Sequence, residues 1–295
     1  SLSQTSRSDD PNPIKTIRVQ SHSDSSNSLS SKIEALSKKA QVHSQKYNLT
    51  PVFNLVQSIR PLEEPELSSV LHKGNDYLFG SCEIKTSTSA EKIWSLAQES
   101  FSYLLLDTDN KNSESVKIIE SINNRFDEQK ILRYSDLTTW VQSIRSLIEE
   151  TVRTYDQQSI TINLLGHNVL SQACRNYLEL TDYTVIANEG SLTDEADVSI
   201  CLLCEPFPDA ETDFLETHDL IVDAYVGSLP EQVIARVEQN IYRPDMEAFI
   251  QSQISAQLNN LKLVNNHQGT RTINDVPVAA GGIVVSEGTV ILDSL

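Results

Sequence analysis

The spacing of apolar residues along the chain alternates between two periods. In the first half, Ile33, Leu36 and Ala40 recur at helical spacing behind Ser31, a residue type suited to an N-cap. Asn48-Leu49-Thr50-Pro51 should stop that helix. Residues 52–59 read equally well as a strand or a short helix. Pro61 and Pro65 mark a loop. Residues 76–85 read as a strand. Residues 89–99 read as a helix with Ile93, Trp94 and Ala97 on one face. The run 101–106 is apolar throughout and ends at Asp107, as a buried strand would. Residues 112–126 predict an amphipathic helix with Val116, Ile119 and Ile122 inward. A strand at 130–134 follows. Ser135 then opens a long helix to about residue 155, carrying Leu137, Val141, Ile144, Leu147, Ile148 and Val152.

The second half repeats strand and helix in order. Strands are predicted at 159–165, 183–187, 197–204 and 220–224, and helices at 169–180, 230–239 and 245–261. Residues 276–295, rich in β-branched residues and glycine, read as a β-rich closing segment. This alternation predicts an α/β fold: an N-terminal α/β domain over 31–157, then a Rossmann-like, mostly parallel-sheet domain over 158–295. Residues 1–30 hold ten serines and few apolar residues, and read as a disordered tail.

Charge sharpens the division. The net charge is −18, of which residues 1–150 carry −3 and residues 151–295 carry −15. An acidic protein does not attract a phosphate backbone, so nucleic acid is excluded as a general partner. No apolar run is long enough to cross a membrane. Four cysteines, Cys82, Cys174, Cys201 and Cys204, are too few for a disulfide framework in a chain of this length. Residues 1–30 lack a secretory apolar core, and Asp9 and Asp10 argue against a transit peptide. Together these features suggest a reducing, cytoplasmic setting.

The candidate chemistry collects in the second half. Gly166-His167-Asn168-Val169-Leu170-Ser171 follows a predicted strand and opens a helix, the place of a dinucleotide fingerprint. There helix N-terminal amides face a pyrophosphate. The first glycine is present, while Asn168 and Ser171 stand at the second and third glycine positions. A plain strand–turn–helix corner accounts for the same residues. Glu189, 23 residues after Gly166, is placed to bond ribose hydroxyls and to repel a 2′-phosphate, which favours NAD over NADP. Cys201-Leu202-Leu203-Cys204 has the CxxC spacing, but residues i and i+3 of a strand point to opposite faces, so core cysteines are expected. No partner motif completes a metal site. Glu205 and Asp223 each end a strand at the edge where open α/β sheets bind ligands, and are the candidates for catalysis. His218 and Asp219 lie beside Asp223.

Three stretches carry a family resemblance: SITINLLGHNVLSQACRNYL, EADVSICLLCEP and Pro277-Val-Ala-Ala-Gly-Gly-Ile-Val. In these the chain resembles two-domain Rossmann oxidoreductases of the methylenetetrahydrofolate dehydrogenase and shikimate dehydrogenase type. The resemblance implies an N-terminal substrate domain, a C-terminal cofactor domain and a crevice between them. The family's Tyr-x-x-x-Lys pair has no counterpart, since Tyr77 and Lys85 lie eight residues apart. Two functions follow from these readings. One is an NAD-dependent oxidoreductase acting on a small-molecule substrate. The other is a non-catalytic binding or assembly protein that has lost its cofactor and engages a basic protein partner through its acidic surface. A homo-oligomer is compatible with both.

Overall fold

The computed structural model describes residues 28–153, 159–187, 197–207, 212–225, 229, 231–237, 240–266, 270–280 and 287–292. Most of the serine-rich segment 1–30 therefore lies outside the described residues.

The first half forms a six-stranded sheet, sheet A. Its parallel strands are β1 (Thr50–Gln57), β4 (Tyr77–Ile84), β5 (Tyr103–Asp107) and β6 (Ile131–Tyr134), in the order β4-β1-β5-β6. Two short strands, β2 (Glu66–Leu67) and β3 (His72–Lys73), run antiparallel along the outer side of β4. Residues 52–59 are thus mainly strand, as β-branched and aromatic content favours. Alternation along β1 sends Phe53 and Leu55 to one face and Val52 to the other. The first face packs on α1 (Leu29–Tyr47), α2 (Ser87–Ala97) and α3 (Ser115–Arg125), through residues such as Leu36, Trp94 and Ile122.

Two local readings of the sequence are corrected here. The N-cap of α1 is Ser28, whose side chain accepts the Ser31 N–H, so the helix starts one turn before the expected cap. The buried face of α3 is Ser115, Ile118 and Ile122, and Val116 is 56 % exposed. Steps of three residues each fall about 60° short of a full helical revolution, so a stripe at 116, 119 and 122 drifts around the helix. Steps of three then four stay on one face.

The second half forms sheet B, five parallel strands in the order β11-β10-β9-β7-β8. The strands are β7 (Ile160–Leu165), β8 (Thr184–Ala187), β9 (Val198–Leu203), β10 (Leu220–Asp223) and β11 (Ile241–Tyr242). The all-parallel pairing is the Rossmann-like pattern expected from the sequence. Every residue of β9 is buried, as a central strand covered on both faces requires. Cys204 packs on one face of the sheet and Cys201 on the other, and the four cysteines are free and buried. One face carries α5 (Val169–Leu178), and the other carries the short helices α6 (Thr212–Glu216) and α7 (Glu231–Val237). A three-stranded sheet, β12 (Thr270–Ile273), β13 (Val276–Ala280) and β14 (Val290–Leu292), closes the chain. Among the described residues, no helix is long and apolar enough to cross a membrane.

Two helices are exchanged between the sheets. Helix α4 (Asp136–Val152) leaves sheet A directly after β6, but its Val141, Ile144 and Ile148 are buried in the core of sheet B. Helix α8 (Met246–Asn266) follows sheet B and returns. Its Ile254 and Leu258 pack on Val52, Phe79, Leu105 and Leu132, the second face of sheet A. Polar contacts pin that return: Tyr77 Oη donates to the Gln251 carbonyl at 2.9 Å, and Lys262 Nζ lies 2.6 Å from Asp76. Each sheet thus completes its apolar cover with a helix delivered by the other.

Deleting the Ile254 side chain tests this. Ile254→Ala should cost about 2–5 kcal/mol in urea unfolding, the range for a buried large-to-small change. Val116→Ala, on the exposed face of α3, should stay within about 0.5 kcal/mol of the parent. Equal effects would contradict both placements.

Candidate functional site

Each sheet has one point where the path through its parallel strands reverses. In sheet A the chain leaves β1 for β4 and then crosses to β5 on the other side of β1. In sheet B it leaves β7 for β8 and crosses to β9. Outside the carboxyl ends of such a strand pair, the diverging connections leave a crevice.

At the sheet A reversal the chain places a buried ionic set. Asp107 ends β5, Lys111 follows in the next loop, and Asp136 opens α4. Lys111 Nζ lies 2.8 Å from Asp107 Oδ2 and 2.5 Å from Asp136 Oδ2, and it donates to the Gln57 carbonyl at 3.0 Å. The three side chains are 3 % exposed or less. Asp107 also accepts the backbone N–H groups of Gln57 (3.1 Å), Asp109 (3.1 Å) and Asp136 (3.4 Å). Asp109 in turn accepts the Leu137 N–H at 2.6 Å, which fastens the first turn of α4.

Burial pushes the Asp107 carboxyl up to about 7; the Lys111 ammonium opposes that rise and the Asp136 charge adds to it. Asp136 is raised for the same reason, burial, again against the pull of Lys111. Burial works against the charge on Lys111, but the two carboxylates outweigh it and hold the ammonium protonated. A carboxyl that changes charge near neutrality is suited to moving a proton, and Asp107 is joined through Lys111 to Asp136, which lines the cleft.

A cleft of about 700 Å³ opens beside this set. Its walls come from both sheets: Gln57, Lys111 and Asp136 on one side, and Leu170, Ala224 and Tyr225 on the other. Arg60 lies between Glu66, at 2.8 Å, and Glu83, with all three at the cleft. A volume of this size suits a small metabolite.

The residues singled out from the sequence gather at the sheet B reversal. Gly166 has φ +140°, and a Cβ there would lie 3.1 Å from Cys204 Cβ and 3.3 Å from Ser171 Cβ. The turn therefore needs glycine for conformation and for close packing. Asn168 is the N-cap of α5: its Oδ1 accepts the Ser171 N–H at 3.0 Å and its amide donates to the Cys204 carbonyl. The Glu205 carboxylate accepts the His167 N–H at 3.0 Å. Asp223 is fully buried and accepts from Arg243 Nε at 3.3 Å. Glu189 lies outside the described residues. Gly166, Asn168, Ser171, Glu205 and Asp223 are not in the walls of the cleft, although Leu170 and Ala224, their chain neighbours, are.

His218 is also placed by the fold. It is buried, its Nδ1 pairs with the Phe214 carbonyl at 2.9 Å, and its Nε2 faces the Asn163 amide at 2.7 Å. A carbonyl partner requires a proton on Nδ1, and the Asn163 N–H, where it faces Nε2, meets a lone pair, an arrangement that suits the neutral ring. Burial lowers its pKa in keeping with that. Among the described residues, no group of His, Cys, Asp and Glu side chains is arranged to hold a metal ion.

No protein-family model matches the chain, and no curated protein matches it. Among solved structures, it is similar to bifunctional 5,10-methylenetetrahydrofolate dehydrogenase/cyclohydrolase from Thermoplasma acidophilum, with 12 % identity and a TM-score of 0.32, over 77 % of this chain and 94 % of that one. It is also similar to L-tryptophan dehydrogenase from Nostoc punctiforme, with 12 % identity and a TM-score of 0.35, over 72 % of this chain and 74 % of that one.

Removing the buried cation tests the ionic set. Lys111→Met leaves two buried carboxyls without their partner, which should cost about 3–5 kcal/mol at neutral pH. The carboxyls bind protons more readily in that folded variant than in its unfolded chain, so its stability should recover as pH falls from 8 to 5. Urea unfolding across that range checks both. A loss below about 1 kcal/mol with no pH dependence would contradict a buried triad.

Proposed function

We propose that the protein is an NAD-dependent oxidoreductase acting on a small metabolite held in the cleft between its two sheets. One observation carries the reading. Two sheets built on parallel strands contribute walls to a single cleft, and one of those walls carries the buried Lys111 and Asp136, with Asp107 behind them. An ionic set that costs desolvation energy at a crevice suggests chemistry rather than stability.

In this reading Gly166, Asn168 and Ser171 form the corner that receives a pyrophosphate, and Glu189 holds the adenosine ribose. The corner suits an anion, since an anionic oxygen, that of Glu205, already sits on the His167 amide. The bound dinucleotide would supply the hydride acceptor or donor. Glu205 must leave the amide for a phosphate to enter. Asp136, the carboxyl in the cleft wall, takes the proton that a substrate loses on oxidation, and Lys111 steadies the resulting charge distribution. Asp223, held by Arg243, supports the loop that carries Ala224 and Tyr225 to the cleft.

The same Glu205 contact favours the second reading. A chain that places its own carboxylate on the amide just before α5 withholds that donor from a phosphate. It would then be a non-catalytic binding or assembly protein, with its acidic second half steering a basic protein partner.

A thermal-shift titration with NAD, NADH, NADP and NADPH separates the two, run on the parent and on Glu205→Gln. The oxidoreductase reading expects NAD or NADH to stabilise the parent, by about 2.7 kcal/mol at 100 times the dissociation constant. Glu205→Gln should bind more tightly, because a neutral amide repels a phosphate less and competes less well for the His167 N–H than a carboxylate. A shift with NADP and NADPH alone would contradict the role given to Glu189. No shift with either protein would favour the second reading.

A further inference from the structure

We propose that the cleft selects a small uncharged or cationic molecule by its O–H or N–H donors, which Asn54 Oδ1 and Gln57 Oε1 receive. This deepens the oxidoreductase reading by naming the class of substrate, and it rests on that reading only in calling the ligand a substrate.

Asn54 and Gln57 lie on β1, at the centre of sheet A, and both line the cleft. Both residues are at least 99 % buried, and neither side-chain carbonyl oxygen has a hydrogen-bond partner among the described residues. A buried acceptor without a partner is uncommon and calls for a reason. For Gln57 the amide orientation is set by its neighbours. Nε2 donates to the backbone carbonyls of Asp107 at 2.9 Å and Asp109 at 3.0 Å, and a flip would turn an oxygen onto two oxygens. Asn54 Nδ2 donates to Ser81 Oγ at 3.3 Å, and Ser81 also lines the cleft. Both amides therefore spend their donors on the protein and leave their acceptors.

The cation beside them offers nothing to an acceptor. Lys111 Nζ has three protons, and the two aspartates and the Gln57 carbonyl take all three. The charged side chains in the walls are Arg60 and Lys111 against Glu66, Glu83 and Asp136, two cations against three carboxylates. Arg60 is already engaged by both glutamates. An anion entering here would meet excess negative charge and, among the described residues of the walls, no uncommitted cation. A hydroxyl or an ammonium that reached these two oxygens, both closed off from solvent, would supply the donor each lacks. The chemistry they share is a donor hydrogen on oxygen or nitrogen, from a polyol or from an amine.

Thermal shift of the full chain without dinucleotide tests this, with myo-inositol, 1,4-diaminobutane, succinate and inorganic phosphate as probes. At least one of the two donor probes should give a saturable rise in melting temperature, and neither anion should. Asn54→Leu should abolish that rise in a variant that still melts in one cooperative transition, although it also loses the Asn54–Ser81 hydrogen bond. Should Asn54→Leu not fold, Gln57→Met serves, and the same loss of the probe effect is expected. A rise with succinate or phosphate, or no rise with either donor probe, overturns the inference. So does a rise that persists in the folded variant. Because the dinucleotide is absent, the NAD titration and this one fail separately: a dinucleotide shift without a donor-probe shift removes only the substrate class.

Discussion

The contact on which the remainder depends is the buried ammonium of Lys111 between Asp107 and Asp136. It joins three pieces of chain that are distant in sequence: the carboxyl end of β1 through the Gln57 carbonyl, the end of β5 through Asp107, and the start of α4 through Asp136. Burying three charges is expensive, and their mutual attraction only roughly offsets the desolvation. The set is therefore better understood as a fixture of position than as a source of stability. It holds the first turn of α4 against sheet A at a defined point.

That point matters because α4 belongs to both halves of the molecule. Its N-terminus is fastened to sheet A by side chains, and its apolar face is buried in sheet B. Helix α8 makes the reverse crossing and covers sheet A. With each core completed by the other half's helix, the two sheets are coupled through buried apolar surface rather than through a surface contact. The cleft between them has walls set by packing. One wall carries two carbonyls without a partner among the described residues and the Asp136 carboxyl, which burial raises. Substrate recognition and proton movement would then be served from the same strand ends.

Much of the architecture was legible in the sequence, for a physical reason. Buried parallel strands require continuous apolar runs, and the segments around Leu104, Ile162 and Ile200 have them. The turn at Gly166 was legible because only glycine fits its backbone and its neighbours. The two-residue strands β2, β3 and β11 were not, since two residues carry no period. The exchange of α4 and α8 was invisible too: an apolar stripe tells that a face is buried, not against which sheet. The ionic set was missed although its signal was present. Asp107 closes a wholly apolar strand and Asp136 follows a helix cap, so the strand-end rule applied to Glu205 and Asp223 would have selected Asp107 as well. Lys111 offered no signal of its own, because one lysine in a polar loop resembles any other. Asn54 and Gln57 were hidden by the ambiguity of residues 52–59. Only once that segment is a central strand do its polar side chains become buried.

The most direct measurement is a carbon-13 NMR titration of the aspartate carboxyl signals in the intact chain, with Asp107 assigned by Asp107→Asn. The account predicts that Asp107 titrates near 7, so that it is largely protonated at pH 5 and the folded state there holds a proton that the unfolded chain would not, stability being lost as pH rises through that range. A carboxyl titrating near the ordinary aspartate value of about 4 would mean that the pull of Lys111 fully offsets burial, and would contradict a carboxyl that exchanges its proton near neutrality beside the cleft.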